Sequence, residues 1–164
     1  MLGSSELRAG FSSNESDSPM YTCENIVSRF RDRKRSANMV LCGTDCYADA
    51  QSRGNIKSPF DGNVVCGFDT MEYMLDNTFS KLGIDTDRVD HPLLLTEPLC
   101  NPEYNRAQMN ELLFEAYQVQ SVNYGLDALF SAYANNVRDN GLVVSAGRTT
   151  VSYTHLRAHE TKAN

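Results

Sequence analysis

The chain has 164 residues, of which 41% are hydrophobic and 22% are charged, and its formal net charge is −6 at pH 7. This length and composition suit one moderate hydrophobic core, and the acidic balance argues against a general nucleic-acid binder. No apolar run approaches the ~20 residues that a transmembrane helix needs, and no secretory signal is present, so we predict an intracellular protein without membrane association.

A dense basic run occupies residues 29–35 and contains five cations against one acid. The cations are Arg29, Arg31, Arg33, Lys34 and Arg35. Such a run is typical of nuclear import signals and of surfaces that contact nucleic-acid phosphates. The simpler alternative is a solvated loop, and the sequence leaves all three readings open.

Five cysteines are present, and only Cys42 and Cys46 lie close together along the chain. A zinc site needs a second close pair of Cys or His ligands, which the sequence does not offer. We therefore predict reduced thiols and no metal site.

Three sets of apolar residues recur at three- and four-residue spacing and predict amphipathic helices. The first helix is predicted to start at a box formed by Asp69 and Glu72 and to stop at Gly83, and the second to start at Asn101 and Pro102. The predicted core-facing residues are Met71, Met74, Leu75, Phe79 and Leu82 in the first helix, Met109, Leu112, Leu113 and Ala116 in the second, and Leu126, Leu129, Phe130 and Tyr133 in the third.

Two short segments are predicted to be strands. Residues 93–95 form an apolar run between Pro92 and Pro98, which predicts a strand buried on both faces. Residues 121–124 are predicted to form the second strand.

The segment from His91 to Tyr133 resembles the actin superfamily. In that family an apolar strand, a polar turn with Asn-Pro, an amphipathic helix, a short strand and a second helix follow in this order, as they do here. The resemblance covers about residues 3–150. It implies an α/β, actin-like (ribonuclease H-like, or ASKHA) fold with a mixed sheet and flanking helices. Residues 1–150 would form part of the first lobe, with a small outer subdomain at roughly residues 25–60.

The family binds nucleotide phosphates with two hairpin turns, and the resemblance places remnants of both in this chain. Those of the first turn are Gly3, Ser4, Ser5 and Arg8, and that of the second is Gly147. Met1 and Leu2 stand where the first turn carries Asp and Asn, and residues 145–149 lack both acids of the second. Asp127 stands where conventional actins carry a Gln that positions the attacking water.

These departures argue against an ATPase, because phosphoryl transfer relies on a divalent metal and its carboxylate ligands. The resemblance therefore implies no catalytic residue and no cofactor in this chain, while ATP with magnesium stays open for the full-length protein. In the rival interpretation, the protein binds ATP with weak or no hydrolysis, and the acids are missing only because both ends of the sequence are damaged.

Residues 151–164 resemble the conceptual translation of a sequencing adapter, so we predict a non-native tail. Residues 58–61, 91–101 and especially 123–133 look more like nuclear actin-related proteins than cytoskeletal actin. That resemblance implies a non-filament-forming, structural subunit of an Ino-eighty-type chromatin-remodelling complex in the nucleus. Its expected partners are a remodelling motor subunit, a small accessory subunit and, through the complex, nucleosomal DNA.

Overall fold

The computed structural model describes residues 1–16, 18–33, 36–85, 88–137 and 140–156. The strands are β1 (Glu6–Ala9), β2 (Tyr21–Glu24), β3 (Val27–Asp32), β4 (Ala37–Cys42), β5 (Ile56–Lys57), β6 (Phe60–Asp61), β7 (Val64–Val65), β8 (Leu93–Glu97), β9 (Val122–Leu126), β10 (Gly141–Ala146) and β11 (Val151–Leu156). The α-helices are α1 (Ala50–Arg53), α2 (Phe68–Lys81), α3 (Glu103–Glu111) and α4 (Asp127–Ala134), joined by a 3₁₀ turn at Gly43–Tyr47 and a π-helical turn at Leu112–Ala116.

The strands of the described residues form five small sheets that combine both strand orientations. Antiparallel pairs join β1 to β2, β6 to β7 and β10 to β11, while β3 lies between β4 and β5. The pair β8–β9 is parallel, with α3 as the crossover between its strands. This is the predicted α/β class with strands of both orientations and flanking helices.

Helix α2 presents the predicted face to the core. Met71, Met74, Leu75 and Phe79 are all buried. The start was predicted wrongly, because Gly67 is the N-cap and no side chain of an Asp69–Glu72 box caps the helix. The predicted stop at Gly83 is confirmed. Gly83 has a positive φ, its amide donates to Ser80, and the amide of Ile84 donates to Phe79, which together form a Schellman C-cap.

The second predicted helix changes its geometry halfway. Met109 and Leu113 are buried in the core, as predicted, but Ala116 is exposed. The chain passes from α3 into the π-helical turn between these positions, and the wider turn moves Ala116 off the buried face. Asn101 does not cap the helix, since Pro102 is the N-cap and the Asn101 side chain donates to Glu97.

Helix α4 buries a different face from the one that its large apolar residues predict. Ala128 and Ala132 are buried, whereas Phe130 is 38% and Tyr133 63% exposed. The two alanines form the buried face of the helix, while the partly exposed Phe130 ring lies against Gly125 of β9. The prediction that Phe130 and Tyr133 face the core was wrong.

Strand β8 is also less buried than predicted. Leu94 is 60% exposed, so the strand is not covered on both faces. Within the described residues β8 pairs with β9 alone, and Leu93 and Leu95 are the side chains that pack against the core.

The core forms where α2, the end of α3 and strands β1, β2, β3 and β7 meet. All five cysteines are free thiols: Cys23 and Cys46 are buried, Cys42 is half-buried, and Cys66 and Cys100 are exposed. None of the helices in the described ranges is both long and apolar enough to traverse a lipid bilayer.

Candidate functional site

The first predicted phosphate turn is a tight hairpin. The amide of Arg8 donates to the Met1 carbonyl at 2.9 Å, and the amide of Gly3 donates to the Glu6 carbonyl at 3.1 Å. Ser4 and Ser5 are thus the two loop residues. The turn has the backbone form that the family resemblance implies.

Two hydrogen bonds from Asn25 hold this turn in place. The Asn25 side-chain amide, which is buried, donates to the Gly3 carbonyl, and the Asn25 backbone amide donates to the Ser5 carbonyl at 2.9 Å. Arg8, in contrast, does not turn toward the loop. Its guanidinium pairs with Glu6 at 2.8 Å on the exposed surface, so its predicted role at the phosphate turn has no supporting contact.

The second predicted turn is also a hairpin. Strands β10 and β11 pair in register from Gly141 with Leu156 to Ala146 with Val151. The amide of Gly147 then donates to the Thr150 carbonyl at 2.8 Å, which leaves residues 148 and 149 as the loop. β11 lies inside residues 151–164, whose foreign origin stays a prediction.

The two turns meet in space. The Ser4 Oγ and Thr149 Oγ1 atoms are 3.4 Å apart, although the residues are separated by 145 positions in the chain. Thr149 Oγ1 also donates to the Gly62 carbonyl at 2.9 Å. Thr149 therefore connects both turns to the β6–β7 hairpin, a role that no local sequence pattern indicated.

Asp127 lies in the wall of a cavity of about 300 Å³. Met1, Thr96 and Ser145 line the same cavity. One Asp127 carboxylate oxygen, Oδ1, accepts a hydrogen bond of 2.7 Å from the Ala128 amide, in the first turn of α4. The carboxylate is therefore partly engaged by its own helix.

Met1 and Thr96, which both line this cavity, are hydrogen-bonded to neighbouring residues. The Leu2 amide donates to Thr96 Oγ1 at 2.8 Å, and the Met1 amino group donates to the Arg8 carbonyl at 2.6 Å.

The residues at the two turns do not fit a magnesium-bound nucleotide. Mg²⁺ is held in proteins by carboxylates and by phosphate oxygens. The turns and their flanks present hydroxyl groups, the cation of Arg148, and one carboxylate, Glu6, which is already paired with Arg8. The hydroxyl groups are those of Ser4, Ser5, Ser145 and Thr149. Within the five described ranges, no three His, Cys, Asp or Glu side chains are grouped so that they could hold a metal ion.

The basic run lies elsewhere, on the β3–β4 hairpin. Arg29 and Arg31 belong to β3 and Arg33 follows it in the turn, while Lys34 and Arg35 lie outside the described residues. The loop reading was therefore wrong for residues 29–32, which are paired with β4. The guanidinium carbon of Arg29 lies 5.1 Å from the centre of the Tyr73 ring.

A family model described as Actin matches residues 2–156. The chain belongs to the actin family. The match takes in both hairpin turns and the strand–helix order on which the resemblance was built, so the actin-like fold is confirmed.

The relatives of this actin-family chain include several actin-related proteins. It is 49% identical over 146 residues to the Actin-like protein arp5 of Schizosaccharomyces pombe, covering 88% of the chain and 20% of that protein. It is 40% identical over 149 residues to Actin-related protein 5 of Saccharomyces cerevisiae (89% and 20%) and 38% identical over 152 residues to Actin-related protein 5 of Homo sapiens (88% and 25%).

These names confirm the predicted similarity to actin-related proteins. The chain spans only about a fifth to a quarter of the length of these relatives. What the whole protein does is therefore a matter for proposal.

Proposed function

We propose that the full-length protein is a non-catalytic, structural subunit of an Ino-eighty-type chromatin-remodelling complex in the nucleus. It works beside a motor subunit that hydrolyses ATP and a small accessory subunit, and it reaches nucleosomal DNA through the complex. The similarity to actin-related proteins of yeasts and human supports this assignment.

The observation that carries the proposal is the chemistry of the two turns. They keep the family's hairpin backbone, but they meet through the hydroxyl groups of Ser4 and Thr149. Carboxylates that organise the metal are the part that phosphoryl transfer depends on most. A protein that retains the fold without them has lost the means of hydrolysis and keeps the surfaces for binding partners.

Co-purification and phosphate release test this proposal together. Tagged full-length protein is recovered from nuclear extract, and we expect a remodelling motor and a small accessory subunit in equal amounts with it. The purified subunit alone is expected to release no inorganic phosphate from ATP above the buffer rate. Recovery with cytoplasmic filaments alone, or phosphate release that D127N abolishes, would contradict the proposal.

A second candidate is an ATP-binding subunit with weak or no hydrolysis. It is favoured by the cavity of about 300 Å³ beside the turns, which Asp127 and Thr96 line. Fluorescent ATP binding by the full-length protein, measured with magnesium and with EDTA, tests it. Saturable, magnesium-dependent binding supports this candidate, and its absence leaves the non-nucleotide subunit.

A further inference from the structure

Helix α3 and the π-helical turn that follows it bury one side and expose the other. Leu113 packs in the core from the buried side. On the opposite side, exposed residues recur at spacings of three and four, which places them along one face of the helix. These residues are Tyr104, Ala107, Glu111 and Phe114. We call this side the aromatic face.

Two large aromatic side chains stand at the two ends of the aromatic face. Tyr104 is 70% exposed and Phe114 is 44% exposed. The small Ala107 lies between them along the helix, so a side chain of a partner can come close to the backbone there. Aromatic rings supply much of the binding energy where one helix packs on another protein. Their arrangement along one helix face suits a second helix as the ligand.

The end of the aromatic face has an irregular backbone. Phe114 and Glu115 belong to the π-helical turn, in which the chain winds more widely than in α3. Turns of this kind interrupt α-helices most often at functional sites. The core does not require Phe114, because the neighbouring Leu113 is the residue that fills it.

The charges around the aromatic face are negative. Glu103, Glu111 and Glu115 are exposed, and among the described residues none of them has a cation within ion-pair distance. Arg106 is the sole cation of residues 101–117, all of which are described. Its guanidinium is already paired with Glu97, with the Nε atom 3.1 Å from Oε2. The acids are therefore left to attract a basic ligand.

We propose that the aromatic face binds a basic amphipathic helix of a protein partner. Apolar side chains of that helix contact Tyr104 and Phe114, and its flanking Lys and Arg side chains pair with the acids. The same acids repel nucleic-acid phosphates, which favours a protein as the ligand. This proposal rests on the proposed function, in which the protein works through surfaces that bind partners.

Photo-crosslinking in the assembled complex identifies what covers the aromatic face. A benzophenone amino acid replaces Ala116, which is exposed at the end of the π-helical turn, and tagged full-length protein is irradiated in nuclear extract. The same replacement at Ala48, exposed beside the 3₁₀ turn, is the control. We expect Ala116 alone to yield a cross-link to another polypeptide, in a segment with net positive charge and apolar residues at helical spacing.

Three results of the crosslinking overturn the proposal. A cross-link within the same polypeptide shows that the rest of the full-length protein covers the face. A cross-link to a second copy of the protein, or to a neutral or acidic segment, shows that the ligand has a different chemistry. The third result is a yield at Ala116 no higher than at Ala48.

The cross-linked segment is then synthesised with a fluorophore, and its binding to purified full-length protein is measured by fluorescence anisotropy. We expect Y104A/F114A to weaken binding about tenfold or more, because both rings are contact residues. Y133A is the matched control, since it removes an exposed aromatic ring from α4. Unchanged binding by Y104A/F114A, or an equal loss in Y133A, overturns the proposal. An unchanged urea midpoint in Y104A/F114A separates a lost contact from misfolding.

The charge of the ligand is tested with the same peptide over a series of salt concentrations. We expect E111Q/E115Q to weaken binding about threefold at low salt and to make it less sensitive to salt. D45N/D49N removes the same number of charges at exposed positions around the 3₁₀ turn and is expected to bind as the unchanged protein does. Equal salt dependence in all three proteins overturns the charge argument and the proposal with it.

Co-purification separates this proposal from the proposed function. Unchanged protein that recovers the remodelling motor, with peptide binding insensitive to Y104A/F114A, overturns the aromatic face alone. A basic helix bound at the aromatic face by unchanged protein that recovers no motor overturns the proposed function and leaves the aromatic face supported.

Discussion

The close approach of β9 to α4 gives a sharp test of how the region around Asp127 is built. A Cβ atom added at Gly125 would lie 2.5 Å from Cε2 of Phe130 and closer still to its Cζ, whereas real Cβ atoms essentially never approach below 3.0 Å. The ring must then move by about 1 Å. Overpacking of this kind costs about 1–3 kcal/mol, so we expect G125A to lower the free energy of unfolding by that amount.

The clash is with one side chain, so removing that side chain should remove the cost. In the F130A background, G125A is expected to cost close to nothing, which gives a coupling energy of about 2 kcal/mol in a double-mutant cycle. Urea unfolding of the purified chain, followed by circular dichroism, measures all four variants. Phe130 is partly exposed, so F130A by itself leaves most of the stability.

G54A supplies the control, because it makes the same chemical change where space is available. The nearest atom to a Cβ at Gly54 is 3.7 Å away and its φ is −73°. Alanine there should be neutral or stabilise by about 0.4–1 kcal/mol, since it restricts the unfolded chain. If G125A costs the same with and without Phe130, the ring does not set the spacing between β9 and α4, and our reasoning is refuted.

Three further outcomes are expected. L113A should lower the free energy of unfolding by about 2–5 kcal/mol in urea titrations, because Leu113 is fully buried in the core, and a loss below 1 kcal/mol would contradict that placement. S28A should cost about 1–3 kcal/mol in the same assay, because the buried Ser28 hydroxyl donates to the Ser52 carbonyl at 2.7 Å and its loss leaves that buried carbonyl without this donor. S58A, at an exposed serine, is its control. Burial raises the pKa of the Cys42 thiol from 9.0 to about 12. The thiol therefore ionises at a lower pH in the unfolded chain than in the folded one, so the urea midpoint of unfolding should fall as the pH rises from 9 to 12. A midpoint that stays constant, or a fall of the same size in C42A, would contradict this cause.

Local periodicity predicted the parts of the fold that depend on local structure. In α2, apolar residues at helical spacing and the glycine after the last turn identified both the buried face and the end. The failures came where a neighbour outside the segment decides the outcome. Helix α4 buries Ala128 and Ala132, and nothing in its own sequence tells that the larger Phe130 stays partly exposed beside β9.

In the candidate site, too, local features were predicted from the sequence and contacts between distant residues were not. The family resemblance located both turns, because their glycines and flanking strands are local features. Their contact through Ser4 and Thr149 joins opposite ends of the chain, and hydroxyl groups carry no spacing pattern that predicts a partner. The basic run was recognised by composition, but only strand pairing shows that Asp32 lies on the other face from Arg31.

The arrangement of the thiols offers a practical route to labelled protein. Thiolates rather than thiols react with maleimides, and burial raises the pKa of Cys23, Cys42 and Cys46. At neutral pH, dyes should therefore attach at Cys66 and Cys100, which immediately precede the segments leading into α2 and α3. A donor dye and an acceptor dye at these two cysteines would report the distance between the starts of α2 and α3 by fluorescence energy transfer, without an introduced cysteine.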